Sequence, residues 1–327
     1  MNKLIRFIKR IFVISIAVFL LFLSASGIKI TFGSQVKDAV AQAVPSCLNR
    51  TNIPIADLHW VYVPENAAAL HTEEDYYYLA GQLITNNVVD ASTCPNGGLT
   101  LNEYANACGM SLAHPKVVEL QNIIDEAILK TWPNIGVPPV LLRQLIRQES
   151  QFWPSINSQT HYGYGHITNM GIRNALEWNP DLRQKVCPVG SGWACTYDQS
   201  IVKEILKTLV VTCPTCANGI DTEAANRSVD ILAEVVLGYC YQTAQLIYNA
   251  TGWYSSNAVD YATLWKLTLM DYNAGSQCVF DTVAKTFKIV QGPMSWEDLS
   301  SRVTGDLCIR GKTYANQITA KYYNFPP

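Results

Sequence analysis

Apolar residues recur at steps of three and four along most of the chain after residue 115. This spacing predicts amphipathic α-helices. Turn residues such as Gly, Pro, Asn and Asp separate the repeats. Alternating apolar and polar runs of useful length are missing, so the predicted class is mainly α. The predicted helices cover residues 117–128, 138–150, 202–209, 231–247, 261–272 and 280–289 and a last segment from about Lys312.

Residues 29–114 are rich in Asn, Pro, Gly and Thr and carry no long periodic segment. We predict an irregular extension tied by disulfides, followed by a helical domain over residues 115–327. The extension contains the string Tyr76-Tyr77-Tyr78. Three adjacent tyrosines are typical of a packed or exposed aromatic cluster, and a saccharide-stacking surface is the alternative.

Residues 1–28 have the pattern of a targeting segment. Four basic residues precede the uncharged stretch 11–28, and Ser24-Ala25-Ser26 offers a small-residue cleavage site. The segment is either a cleaved secretory signal or an uncleaved anchor that just spans a bilayer. Both alternatives predict that the body of the protein lies outside the cytoplasm, because the positive flank stays inside. The basic residues are Lys3, Arg6, Lys9 and Arg10.

All ten cysteines follow this segment, which predicts up to five disulfides in an oxidising compartment. Local pairs are expected for Cys94 with Cys108 and for Cys187 with Cys195, which flank turn-rich stretches. The spacing of Cys213 and Cys216 favours a structural disulfide, with a redox motif or a zinc half-site as the alternative.

Composition excludes one class of partner. The chain has 327 residues, a net charge of −2 and only 15% charged residues. Because no basic run exists beyond the first ten residues, nucleic acid is not an expected partner.

The predicted helix 138–150 ends on an acid. Its two leading prolines suit a first helical turn, where a missing N–H costs little. Glu149 follows Ile146 by three positions, Leu145 by four and Leu142 by seven, so it continues the apolar stripe. Burial and the negative end of the helix dipole both favour the protonated carboxyl group, which is the form a general acid needs. The polar face is predicted to carry Arg143, Gln144, Arg147 and Gln148 to solvent.

Two strings resemble motifs of the soluble lytic transglycosylases, a family whose fold is similar to goose-type lysozyme. Residues 137–154 resemble the opening motif, a helix ending in Glu-Ser followed by Phe and Pro. Residues 264–275 are similar to the family's apolar helix ending in Ala-Tyr-Asn-Ala-Gly, with Tyr272 in the tyrosine position and Asp271 replacing the alanine.

Two further motifs are altered. Residues 163–168, Gly-Tyr-Gly-His-Ile-Thr, stand where the family has Gly-Leu-Met-Gln, so Gly165 is retained and Thr168 replaces the glutamine. Residues 230–237 keep only the isoleucine of the Asn-Ile motif. Asp230 and Glu234 in that string are expected on a solvated helix face.

The resemblance implies a lysozyme-like helical domain that cleaves the β-1,4 bond between N-acetylmuramic acid and N-acetylglucosamine in peptidoglycan strands. It implies that Glu149 is the catalytic acid and then the base, that the Tyr272 hydroxyl donates a hydrogen bond to Glu149, and that Ser150 orients it. Neither a metal nor an organic cofactor is required. The sugar contacts are assigned to Tyr164, Gly165, His166, Thr168 and Asn273.

Two alternatives remain open. A lysozyme-type hydrolase needs a second carboxylate to activate water, and Asp271 or Asp230 is the candidate. The altered motifs also fit an inactive module that binds peptidoglycan or serves a structural role.

Overall fold

The computed structural model describes Cys47 and residues 59–61, 63–72, 74–154, 161–213, 216 and 219–320. This part of the chain is mainly helical and contains isolated β-bridges but no strand. The mainly α class is therefore confirmed. The helices are α1 (Tyr77–Thr85), α2 (Ala107–Ile135), α3 (Pro139–Ser150), α4 (Asn169–Trp178), α5 (Pro180–Val186), α6 (Ala194–Tyr197), α7 (Gln199–Thr208), α8 (Thr222–Thr251), α9 (Ser255–Ala258), α10 (Tyr261–Ala274), α11 (Ser276–Val290), α12 (Trp296–Ser300) and α13 (Asp306–Thr319). Short 3-10 helices span His59–Val61, Ala67–Leu70 and Pro95–Gly98.

Helix α8 forms the centre of the core. It packs against α2, α4, α10 and α11, and residues 232–238 in its middle are all buried. A helix that is covered all round needs few polar positions, which fits its run of Val, Ala and Leu. Gly238 permits the close approach of α4, because a Cβ there would lie 2.9 Å from the Ala175 Cα.

Several helix ends match their sequence signals. Helix α3 begins at Pro139, directly after Pro138, as the two prolines predict. Asp221 and Asp260 cap α8 and α10 by accepting backbone N–H groups. Helix α2 begins at Ala107, earlier than the periodicity indicates, because the Asn106 side chain caps its first turn.

Five disulfides link the described cysteines, and none of these is free. The local pairs Cys94–Cys108 and Cys187–Cys195 are confirmed. The Cys213–Cys216 pair is also bonded. Two bridges cross long stretches of sequence: Cys47–Cys240 ties the segment before α1 to α8, and Cys278–Cys308 ties α11 to α13.

Part of the predicted extension supports the end of α3. Glu74 forms a 2.6 Å ion pair with Arg147, and the Tyr78 N–H donates to the Gln151 side chain at 3.1 Å. Tyr76 is buried and meets the Phe152 ring edge to face, with 5.1 Å between ring centroids. Residues 74–78 therefore pack on the turn that follows Glu149.

The polar face expected for α3 was wrong for two of its residues. Arg143 and Gln144 are buried, while Arg147 is half-buried and Gln148 is exposed. Arg143 is neutralised inside the protein by Asp125 of α2, with 2.7 Å between Nε and Oδ1. Packing of α2 and of the segment before α1 covers a face that the pattern left to solvent.

None of the described helices is long and apolar enough to span a membrane. The predicted signal or anchor at residues 1–28 lies outside the described residues.

Candidate active site

The acid lies at a strained helix end. Glu149 is the penultimate residue of α3, and its side chain retains 16% of its exposure. The next residues, Gln151 and Phe152, have φ of 45° and 64°, in the left-handed region that costs free energy for residues other than glycine. Packing holds this turn, because Phe152 is fully buried and the Trp153 N–H bonds to the Ser150 carbonyl at 3.0 Å.

A tyrosine that the motifs did not include contacts the acid. The Tyr314 hydroxyl, from α13, donates a hydrogen bond to Glu149 Oε1. Tyr314 lies on the buried stripe of α13 together with Gly311, Ala315 and Ile318. The stripe was visible in sequence as a helical repeat, but nothing in it indicates which distant residue the tyrosine reaches.

His166 faces the other oxygen of the carboxyl group. Its Nδ1 lies 3.4 Å from Glu149 Oε2, and its side chain is 22% exposed. His166 has φ of 49° and ends a tight turn in which Tyr162 and Ile167 exchange two backbone hydrogen bonds. The turn presents the imidazole to the acid.

Tyr272 is near Glu149 but has a different partner from the one expected. Its hydroxyl donates to the Gly165 carbonyl, whereas the resemblance implied donation to Glu149. A phenol has one hydrogen to donate, and the backbone carbonyl of the turn receives it. Tyr272 therefore fixes the turn that carries His166.

Gly165 is required for this packing. A Cβ at this position would lie 2.3 Å from Leu232 Cδ1 and 2.8 Å from the Tyr272 hydroxyl. The close approach that the glycine permits is to the protein's own side chains, and Gly165 itself is buried.

The electrostatics keep both phenols neutral. Burial, followed by the charge of Glu149, raises the pKa of Tyr272 well above its ordinary value. The same two effects, in the same order, raise the pKa of Tyr314. Both hydroxyls therefore remain hydrogen-bond donors throughout the pH range in which enzymes work.

Three other assigned residues, Ser150, Tyr164 and Thr168, have different roles from those expected. The buried Ser150 hydroxyl donates to the Ile146 carbonyl at 3.0 Å, so it serves its own helix and does not touch Glu149. Tyr164 is fully buried and cannot contact a sugar. Thr168 caps α4, with its Oγ1 accepting the Gly171 N–H at 3.0 Å. Asn273 is exposed and stays available for a ligand.

The two candidates for a water-activating carboxylate, Asp271 and Asp230, have different surroundings. Asp271 is 1% exposed, and one of its oxygens accepts a 3.2 Å hydrogen bond from Thr243 of α8. Burial raises the pKa of Asp271 to about 7. Asp230 is exposed and accepts a hydrogen bond from Thr131 of α2.

Glu234 corrects the expectation of a solvated pair on α8. It is buried, and its carboxylate accepts a 2.7 Å hydrogen bond from Asn179 and pairs with Lys185. Within the described part of the chain, no group of three or more His, Cys, Asp or Glu side chains could hold a metal ion.

No family model, curated protein or solved structure matches the chain. The resemblance to the lytic transglycosylases therefore rests on the sequence strings alone.

Proposed function

We propose that the protein is a peptidoglycan lytic transglycosylase with a lysozyme-like helical fold, in which Glu149 acts first as an acid and then as a base. The observation that supports this most is the environment of Glu149. A single carboxyl group at the end of an apolar helix is partly exposed and lies between the Tyr314 hydroxyl and the His166 imidazole. Such an arrangement orients a carboxyl group for proton transfer.

The proposed reaction balances without water. Protonated Glu149 gives its proton to the glycosidic oxygen as the bond to C1 of N-acetylmuramic acid breaks. The C6 hydroxyl oxygen of the same sugar bonds to C1, and the Glu149 carboxylate takes the hydroxyl proton. The product is a 1,6-anhydro sugar, and the acid returns to its starting state.

The burial of Asp271 favours this scheme over hydrolysis. An inverting hydrolase requires a second carboxylate that faces water, roughly 6.5–9.5 Å from the acid. Asp271 is sealed from solvent and bonded to Thr243, so it is poorly suited to activating a water. Asp230 is exposed, and one of its carboxylate oxygens accepts a hydrogen bond from Thr131 of α2.

One observation favours the inactive module as a second candidate. Two of the five residues assigned to sugar contacts are used by the fold: Tyr164 is fully buried, and the Thr168 hydroxyl caps α4. A cleft that has lost those contacts would bind glycan strands weakly and leave Glu149 without a substrate.

In the proposed function the partners are peptidoglycan strands, and the protein works outside the cytoplasm. The five disulfides are consistent with an oxidising compartment. Residues 1–28 serve as a cleaved signal or as the membrane anchor.

The test is the release of soluble fragments from purified peptidoglycan by the wild type and by Glu149→Gln. We expect the variant to lose about 10²- to 10⁴-fold in turnover, the usual contribution of a general acid and base. Glu204→Gln is the matched control, since Glu204 is exposed and pairs with Lys207 of its own helix. Equal turnover by the wild type and Glu149→Gln, or none by either, would exclude the enzyme.

A further inference from the structure

Tyr314 reaches Glu149 from the last described helix. The two residues are 165 positions apart in sequence. Helix α13 packs along α10 and also meets α3. Gly311 makes this packing close, because a Cβ there would lie 2.5 Å from the Ala274 Cβ. The Cys278–Cys308 disulfide ties the start of α13 to α11. The position of the tyrosine is therefore fixed by the fold and not by a flexible tail.

The direction of the Tyr314 hydrogen bond is fixed by its surroundings. Among the described residues, Glu149 Oε1 is the acceptor for the Tyr314 hydroxyl. In the opposite arrangement, Glu149 would be protonated at Oε1 and would donate to the Tyr314 oxygen. The hydroxyl hydrogen of the buried tyrosine would then have lost this acceptor, and a buried donor without an acceptor costs free energy. The phenol stays neutral because burial and the nearby carboxylate both raise its pKa. Oε1 therefore remains an acceptor whether or not Glu149 is protonated.

The proton of the acid then resides on the other oxygen. Oε2 is the oxygen that lies 3.4 Å from His166 Nδ1, on the side of the Gly163–His166 turn. That turn is where the sequence resemblance places the sugar. The groups that face the carboxyl group are Tyr314 from α13, Tyr272 from α10 and His166 from the turn.

We infer that Tyr314 is a positioning residue that holds Glu149 Oε1 as an acceptor, so that Oε2 carries the proton transferred to the glycosidic oxygen. This inference rests on the proposed function. It assigns to α13 a role in the reaction that the four motifs do not contain.

The test compares Tyr314→Phe with the wild type on soluble peptidoglycan fragments, using the full chain. We expect kcat to fall about 10- to 100-fold, the equivalent of one hydrogen bond to a charged group. KM is expected to stay within about 2-fold, because the phenol is buried and donates to Glu149. Tyr241→Phe is the matched control, since Tyr241 is a buried tyrosine that faces Asp181 and Glu234 instead.

The outcomes separate the two proposals. If Glu149→Gln is inactive but Tyr314→Phe keeps the wild-type kcat, the role of Tyr314 is wrong and the proposed function stands. If Glu149→Gln keeps full activity, the proposed function itself fails.

Unfolding free energies test the same inference without an activity assay, which is needed if Tyr314→Phe is less stable than the wild type. The unfolding free energies of Glu149→Ala, Tyr314→Phe and the double variant form a cycle, in which each single change removes one partner of the hydrogen bond. We expect the two changes to be non-additive, because each removes the same hydrogen bond. Additive losses would show that Tyr314 acts independently of Glu149 and would overturn the inference.

Discussion

Helix α3 carries Arg143 near its middle and Glu149 near its end, and the structure surrounds these two charged residues in opposite ways. Arg143 is fully buried: its guanidinium donates to Asp125 at 2.7 Å and to Gln121 at 2.9 Å and lies over the Phe152 ring at 4.8 Å. Glu149 keeps part of its exposure and faces neutral or titratable groups, Tyr314 and His166.

This difference indicates that Arg143 has a structural role, whereas Glu149 is available for catalysis. A buried ion pair is locked, because separating it leaves an uncompensated charge in the core. The Glu149 carboxyl group is held by a phenol, lies beside an imidazole and keeps part of its exposure, so it is accessible to a substrate. Glu149, which is partly exposed at a helix end, is therefore a better candidate for a catalytic residue than the fully buried pair of Arg143 and Asp125.

Removal of the structural charge should give the largest loss of stability. Arg143→Met leaves the Asp125 carboxylate buried without its cation, and we expect the free energy of unfolding to fall by about 3–5 kcal/mol. Urea denaturation measures the change. The double variant Arg143→Met with Asp125→Leu is the control and should recover most of the loss. A loss below about 1 kcal/mol in the single variant would contradict the structural role of the pair.

Asp271 is a buried carboxyl group whose raised pKa makes the stability of the protein depend on pH. Its pKa is raised to about 7, above the ordinary value of 3.8, so the folded protein retains a proton that the unfolded chain releases. This contribution to stability is fully present below about pH 4, is lost as pH rises to about 7, and is absent above that.

Asp271→Asn should remove this dependence while keeping an acceptor for Thr243. We expect the variant to gain stability relative to wild type between about pH 4 and pH 7, by at most about 4 kcal/mol. Denaturant unfolding at several pH values measures the difference. A constant difference across this range would mean that Asp271 is not protonated in the folded protein.

Gly311→Ala should disturb the packing of α13, which carries Tyr314 to Glu149, with a smaller loss of stability. The added methyl meets the Ala274 Cβ and lies 3.2 Å from the Met270 side chain, so α13 must shift. We expect a loss of about 1–3 kcal/mol, typical of overpacking, together with a lower kcat as Tyr314 moves. Gly292→Ala is the control, since the nearest heavy atom to its Cβ would lie 3.7 Å away. Equal effects at both positions would argue against the close contact.

Sequence reasoning was most successful where local rules act. Pro139 begins α3 as the two prolines predict, and Glu149 is the penultimate residue of this helix. Cysteines that are close in sequence also pair as expected. Each of these features depends on neighbours within one or two helical turns or one loop.

Tertiary packing decided the features that sequence reasoning missed. Arg143 appears solvent-facing in the pattern, but a carboxylate eighteen positions earlier neutralises it in the core. Tyr314 lies on an ordinary amphipathic stripe, and only the docking of α13 brings it to Glu149. Tyr164 points inward from a Gly-rich turn, a direction that turn composition does not indicate.

The most direct test of the proposed function is mass spectrometry of the fragments released from purified peptidoglycan. The acid-then-base scheme at Glu149 predicts fragments that end in 1,6-anhydro-N-acetylmuramic acid, formed by the wild type and lost in Glu149→Gln. Fragments that carry only reducing ends would contradict it, because they would show that water, and not the C6 hydroxyl, completes the reaction.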